Sequence, residues 1–415
     1  MPADSTINQL KFPPLHRLIN RAGKTLDRLG ISLINLSAES LLKAACRQTG
    51  LSDWGDEDFL TPLTILLDSY NQEADLSFLG RISVRQNCIR LLSNRLRIQD
   101  DCNRYPQILE TPICRPLFIV GLPRTGTTLL HNLLAQDPTV RVPRTWELMQ
   151  PSPPPTPEGR KTDRRIAAAS KKINRIFACA PQIFSIHPFD PTGPEECILL
   201  FQHGFTSYLF VLYTNVPHYT EWLLQHDMVP AYQYYRRQLQ LLQWRCPGSH
   251  WVLKSPAHLF SLNALLTVFP DACLVQTHRD PHKVVPSLCS LSAMAISLSS
   301  NRLDLKCLGE RGLSLCGTAI DRAMQVRESA SPGQFYDVHY RDLVTDPIGV
   351  VRQIYTHFSY DFDPCMEKGM RQWLAANPQF KHGSHRYSLD QFSLDRQAIA
   401  SRFAAYREKF NVGQE

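Results

Sequence analysis

The chain has no uninterrupted apolar run long enough to cross a bilayer as a helix. Its most apolar stretch, residues 197–216, is interrupted by Gln202, His203 and Gly204, which makes it a buried helix or strand region instead. Metal-ligand spacing is missing as well: with no HExxH, no paired CxxC and no carboxylate box, the pattern asks for no metal. Twelve cysteines are scattered without paired spacing and no charged-then-apolar leader opens the chain, which together imply reduced thiols and a cytoplasmic protein. Charge is only mildly one-sided. The formal net charge is +7 and the isoelectric point about 8.8, and in the absence of a zinc finger or an RNA-binding aromatic signature this balance does not call for nucleic acid. No internal repeat is evident, and 415 residues suffice for a large core with an added subdomain.

The most telling absence is a single lysine. Residues 116–134, PLFIVGLPRTGTTLLHNLL, run from a short apolar strand through Gly121-Leu-Pro-Arg-Thr-Gly126-Thr127-Thr128 into a helical pattern. In a triphosphatase loop of the form GxxxxGK[ST], the lysine reaches the terminal phosphates, and here Thr127 stands in its place. The glycines still permit a tight turn, and the amides opening the next helix still point at an anion with the helix dipole behind them. Such a loop holds a phosphate-like group but is poorly equipped to hydrolyse ATP. The nearest positive charge lies within the loop, at Arg124, whose planar fork grips two oxygens at once.

Residues 250–291 supply a second constellation. They read as strand (residues 251–253), helix (about 258–268), strand (272–277) and a further helix opening at Pro281. The first strand runs into Lys254 and Ser255 and the second into His278, Arg279 and Asp280, and ligands of parallel sheets sit outside such carboxyl ends. Ser287 falls roughly two turns into the last helix.

With these two segments in this order, the sequence resembles the sulfotransferases that use 3'-phosphoadenosine-5'-phosphosulfate (PAPS), in particular the bacterial branch with the PRTGTT loop, and more distantly the tyrosylprotein sulfotransferases. The resemblance covers residues 80 to about 410, and the segment 382–392, HGSHRYSLDQF, also looks like the bacterial group. It implies that Arg124, Thr125, Gly126, Thr127 and Thr128 bind the 5'-phosphosulfate, that Arg279 and Ser287 bind the 3'-phosphate, that Lys254 sits near the bridging oxygen of the leaving group, and that Tyr340 lies near the adenine. PAPS as donor, no metal and a small-molecule acceptor carrying a hydroxyl or amine, such as a secondary metabolite, follow from the same likeness.

Sulfuryl transfer moves a trigonal group in line between two oxygens while negative charge builds on the departing phosphate, so Lys254 and Arg124 are placed to stabilise it and positioning dominates the catalysis. The acceptor must also lose a proton, which requires a base within hydrogen-bond reach. Glu147, in RVPRTWELMQ, is the leading candidate, and Glu195, Glu196, His187 and His258 are its competitors. A small-molecule kinase is the alternative class, opposed by the missing loop lysine. A non-catalytic binding module would have lost Lys254 or Arg124, and both are present.

The organisation expected is α/β: a helical N-terminal subdomain over residues 1–111, then a P-loop-like parallel sheet flanked by helices over 112–415, with a helical insertion around 151–245. The insertion opens after the stiff PSPPPTP segment and carries a dense set of aromatics over residues 201–244, some of which would line the acceptor pocket. The series Arg81, Arg85, Arg90 and Arg95 reads as a solvated helix face, and residues 290–312 as a candidate lid.

Overall fold

The computed structural model describes residues 14–28, 33–179, 189–378 and 387–414. Four helices come first: α1 (Pro14–Arg28), α2 (Ala38–Thr49), α3 (Leu60–Gln72) and the long α4 (Phe78–Arg104). The period then shortens to strands. β1 (Leu117–Gly121) leads into α5 (Thr127–Leu134), followed by the helical portion α6 (Thr145–Met149), α7 (Arg164–Cys179), α8 (Tyr208–Tyr213), α9 (Pro217–Gln225) and α10 (Val229–Gln243). β2 (Val252–Lys254), α11 (Leu262–Val268), β3 (Cys273–His278), α12 (Pro281–Ser299), α13 (Leu305–Glu328) and β4 (Phe335–His339) complete the sheet layer. Behind them come α14 (Tyr340–Thr345), α15 (Pro347–Phe358), α16 (Pro364–Ala376), α17 (Arg396–Arg402) and α18 (Ala404–Lys409).

The strands form one parallel sheet in the order β2-β1-β3-β4. Because the chain runs from β1 to one edge and returns on its other side at β3, the order reverses beside β1, the position where open α/β sheets bind ligands. Alternation along the strands divides the core. Phe118, Val120, Leu253 and Leu274 face one apolar cluster, while Leu117, Ile119, Val252 and Val275 face another built with Leu130, Val351 and Met370. The first cluster runs without interruption from Leu36 and Leu91 through the sheet to Tyr406 and Val412, so the N-terminal helices and the sheet share one core.

The strand and helix expectations for residues 250–291 hold to within a residue except for one helix. It divides into a 3-10 turn (Pro256–Phe260) and α11, because Ser255 caps the first piece by accepting from Ala257 N (3.2 Å) and Ser261 breaks the run with a φ of −147°. Residues 290–312 form the end of α12, a short connection and the start of α13. They are tied to the segment before α4 by bonds from Ser77 N to Ser299 O and Asn301 N to Asp75 O, each 2.8 Å, and so are packed in place where a lid was expected. Within α4, Gly80 lies so close to α12 that a Cβ there would fall 2.0 Å from Ser299 O.

The basic series on α4 departs from the solvated face expected for it. Arg95 is buried, its guanidinium lying 4.2 Å from the centroid of Phe59 and 4.4 Å from that of Tyr234 while donating to Asp56 O. It thereby clamps α4 to the start of α3 and to α10. Arg95→Ala removes this stacking together with the packing of the arginine stem, and should lower stability by about 2 kcal/mol. A urea midpoint equal to that of the parent chain would show that the clamp contributes nothing.

Candidate active site

The loop after β1 owes its shape to close contacts. At Gly121 (φ 144°) a Cβ would meet Thr277 Oγ1 at 2.2 Å, and at Gly126 (φ 92°) it would meet Leu343 Cδ2 at 2.8 Å. Between them, Thr125 Oγ1 donates to Leu122 O (2.6 Å) and meets Thr277 Oγ1 at 2.5 Å, tying the loop to β3. Arg124 is exposed and takes the left-handed conformation (φ 71°), which arginine seldom adopts and which costs about 1 kcal/mol. Gly126 caps α5 without a side chain, so no side-chain oxygen competes for the helix's opening amides.

Parallel pairing brings the other strand ends alongside. His278 pairs with His339, so the residues that follow, Arg279 and Tyr340, leave neighbouring strands side by side. The Arg279 guanidinium lies 3.8 Å from the Tyr340 ring centroid and donates from Nη1 to Arg124 O (2.9 Å), which joins the β3 and β4 ends to the loop. Asp280 accepts from His282 N (3.1 Å) and Pro281 opens α12, fixing the helix on which Ser287 sits. Ser287 is buried, and its hydroxyl has no hydrogen-bond partner among the described residues.

On the far side of β1, Lys254 ends β2 almost fully buried, at 2 % exposure. Its Nζ donates to Glu196 Oε1 at 2.5 Å and to Thr128 Oγ1 at 3.4 Å, linking a carboxylate to the start of α5. Glu196 keeps 21 % of its side chain exposed, so the pair opens to solvent on the acid's side. The segment that carries it is pinned by Cys197 N to Lys254 O (3.0 Å) and Glu195 N to Pro143 O (2.9 Å).

The remaining base candidates lie elsewhere. Glu147 is 1 % exposed with both carboxylate oxygens engaged, Oε1 by Arg141 Nη2 (2.6 Å) and Oε2 by Arg144 N (3.0 Å). Its helix is bonded to the segment that leads to Glu196, through Thr145 N to Gly193 O (3.2 Å) and Trp146 N to Pro191 O (3.0 Å). Glu195 is buried and accepts from Glu196 N (2.8 Å). His258 packs edge-on against Phe118, and burial lowers its imidazole to about 3, which holds it neutral. His187 lies outside the described residues, as do residues 382–386 of the C-terminal segment. Among the described residues no group of three or more His, Cys, Asp and Glu is placed to hold a metal ion.

Residues 116–364 match the family model described as the sulfotransferase family. The chain belongs to the sulfotransferase family. The solved sulfotransferase STF9 from Mycobacterium avium is similar over 92 % of this chain and 99 % of its own, with a TM-score of 0.86 at 32 % identity. Sulfotransferase STF1 from Mycobacterium tuberculosis H37Rv covers 89 % of this chain and 98 % of its own, with a TM-score of 0.81 at 32 % identity. A curated relative from Mycobacterium bovis, the omega-hydroxy-beta-dihydromenaquinone-9 sulfotransferase Stf3, is 28 % identical over 296 residues, 69 % of this chain and 74 % of the relative.

In this sulfotransferase the structure therefore brings Arg124, Thr125, Gly126, Thr127 and Thr128 together with Lys254, Arg279 and Tyr340 around the carboxyl ends of the sheet, with Ser287 two turns into α12. Sequence reasoning did not single out the joining of Lys254 to Glu196. The two are separated by 58 positions and meet through a backbone bond that no local pattern encodes. Glu147→Gln leaves Arg141 buried without its counter-charge, and a buried pair broken on one side loses about 3 kcal/mol or more. Denaturant unfolding of that variant is expected to show this loss, and parent-like stability would contradict the buried pairing.

Proposed function

We propose that this sulfotransferase takes its sulfuryl group from PAPS and passes it to a hydroxyl or amine of a small-molecule acceptor, with Glu196 as the general base and Lys254 beside the bridging oxygen of the leaving group. The observation that carries this reading is the position of Lys254 at a strand end, buried, with one hand on a partly exposed carboxylate and the other on the first turn of the phosphate-loop helix. PAPS supplies a sulfuryl group already attached to a good leaving group, the 5'-phosphate of adenosine 3',5'-bisphosphate.

The residues present fit such a donor. The opening amides of α5, the Thr127 and Thr128 hydroxyls and Arg124 match the 5' side, and the exposed Arg124 backbone carbonyl already engages Arg279 on the 3' side. Ser287 offers a buried hydroxyl, without a partner among the described residues, that a 3'-phosphate oxygen would satisfy. The Tyr340 ring beside Gly126 is a flat surface for a base.

Glu196 is the carboxylate positioned to accept the acceptor's proton, because among the described candidates it touches Lys254 while retaining solvent access. As the acceptor oxygen loses its proton to Glu196, the Lys254 ammonium is released from part of that pairing and turns to the charge developing on the leaving oxygen. Glu147, with both oxygens committed, supports this arrangement by holding the 190–197 segment's neighbours. The acceptor side is apolar and aromatic. Tyr213, 40 % exposed, lies within electrostatic reach of Glu195 and Glu196 and offers a ring near the transfer point. The mycobacterial relative is named for an omega-hydroxy acceptor, which agrees with a hydroxyl as the group sulfated here.

Calorimetric titration with adenosine 3',5'-bisphosphate, without metal, should give micromolar binding and little response to ADP. A preference for ATP, or dependence on magnesium, would replace the donor reading by a kinase. Arg279→Ala should weaken the bisphosphate by about 1.5–3 kcal/mol, the loss typical of a charged hydrogen bond, and an unchanged Kd would remove Arg279 from the 3'-phosphate. Glu196→Gln should keep nucleotide affinity while slowing transfer by about a hundredfold or more, and full turnover in that variant would return the base role to another group.

A further inference from the structure

Between the segments that carry Lys254 and Glu196 lies a small cavity of about 10 Å³, lined by the segment around Phe201, by α8, by the start of α10 and by the 3-10 turn that follows β2. Ser255, next in sequence to Lys254, and Ile198, two residues after Glu196, both line it. Three polar side chains in its wall are each more than nine-tenths buried and have no hydrogen-bond partner among the described residues: Thr206 through Oγ1, Tyr208 through its hydroxyl and His258 through Nε2. Buried polar groups rarely persist unpaired, and three converging on one cavity require an explanation. Two of the three are held by their neighbours. Tyr208 stacks on Phe260 at 4.1 Å between centroids, and His258 is held by Tyr232 and wedged among Phe118, Phe201 and Tyr235.

We propose that this cavity is an acceptor subsite that receives one neutral oxygen, a hydroxyl or a carbonyl, and so selects acceptors bearing such a group in addition to the one that is sulfated. The inference rests on the reading of Lys254 and Glu196 as the transfer point. Its chemistry follows from the hydrogen-bond network. The Tyr232 hydroxyl meets His258 Nδ1 at 2.7 Å, and if it donates there its own proton is satisfied, which assigns the ring proton of His258 to Nε2 and aims a donor into the cavity. Tyr208 and Thr206 add hydroxyls that donate or accept. Burial lowers the His258 imidazole to about 3, so the ring stays neutral at physiological pH and offers no charge to an anion. No Asp, Glu, Lys or Arg lines the cavity, which disfavours an ion of either sign. At its centre there is space for a group the size of one water, and the apolar wall of Ile198, Phe201 and Met228 would pack the carbon skeleton that bears the oxygen.

An ordered water has the same chemistry as a ligand oxygen, so the test must separate the two. Phenol and toluene, which share a ring and differ in the oxygen, are titrated into the full-length enzyme with and without adenosine 3',5'-bisphosphate, and phenol-soaked crystals are examined. Phenol should bind about tenfold more tightly than toluene, the discrimination expected of a site whose buried polar groups are otherwise unpaired, and this preference should collapse in Tyr208→Phe and in Thr206→Val. Phenol should place its oxygen on His258 Nε2 and Tyr208. Equal binding of the two probes, discrimination that survives both substitutions, or a water held on the three groups with phenol outside the cavity would each overturn the proposal. The bisphosphate titration is read separately in the same samples: its failure in the parent enzyme would defeat the donor reading while leaving the phenol comparison intact, and its retention in both variants shows that they are folded.

Discussion

The organisation of this enzyme depends on one buried ammonium. Taking a lysine out of water at the end of a strand is costly unless a counter-charge comes with it. Lys254 meets that requirement with Glu196, and a long train of structure follows from it. The segment bearing Glu196 must be drawn against the end of β2, which the bond from Cys197 to Lys254 O accomplishes, and it must be braced from the other side, which Pro143 and the cap around Arg144 provide. Beneath that cap the Arg141–Glu147 pair forms a second, fully enclosed electrostatic contact. One ion pair thus remains open to solvent on the acid's side, while the other is fully enclosed.

The loop shows the same division of labour. A lysine after Gly126 would place a mobile positive charge over the anion, whereas this chain supplies charge from three directions: Arg124 within the turn, Lys254 from the next strand on one side, and Arg279 from the next strand on the other. Each comes from the carboxyl end of a different strand or its loop, and parallel pairing is what gathers them. The rigidity behind them is equally collective, since Thr125 and Thr277 lock loop to strand and Arg279 reaches back to Arg124 O.

Much of this was legible in the sequence wherever chemistry and local period coincide. The glycines at 121 and 126, the apolar run before them, and basic residues placed directly after two short strands were enough to place the loop, the strand ends that gather beside it and the α/β layer. Legibility stopped where a residue's role depends on a distant partner. Glu147 and Glu196 are both acids following turn-forming segments, and only the tertiary meeting with Arg141 or with Lys254 separates the enclosed acid from the partly exposed one proposed as the base. Arg95 reads as one of a series of exposed cations at near-helical spacing, but the rings of Phe59 and Tyr234 that enclose it come from elements far apart in the chain. Ser261 broke an expected helix because its backbone left the helical region (φ −147°, ψ 42°), which local propensity does not announce.

Helix α12 joins two distant parts of the fold. Nineteen residues long, and so about 28 Å from end to end at the usual rise of an α-helix, it bears Ser287 and follows Arg279 at one extremity, while its other extremity is pressed against Gly80 and bonded to Ser77. Pro286, inside the helix and next to Ser287, removes one rung of its hydrogen-bond ladder, so under the proposed donor site a ligand held by Ser287 would bear on the bendable point of the helix that anchors α4.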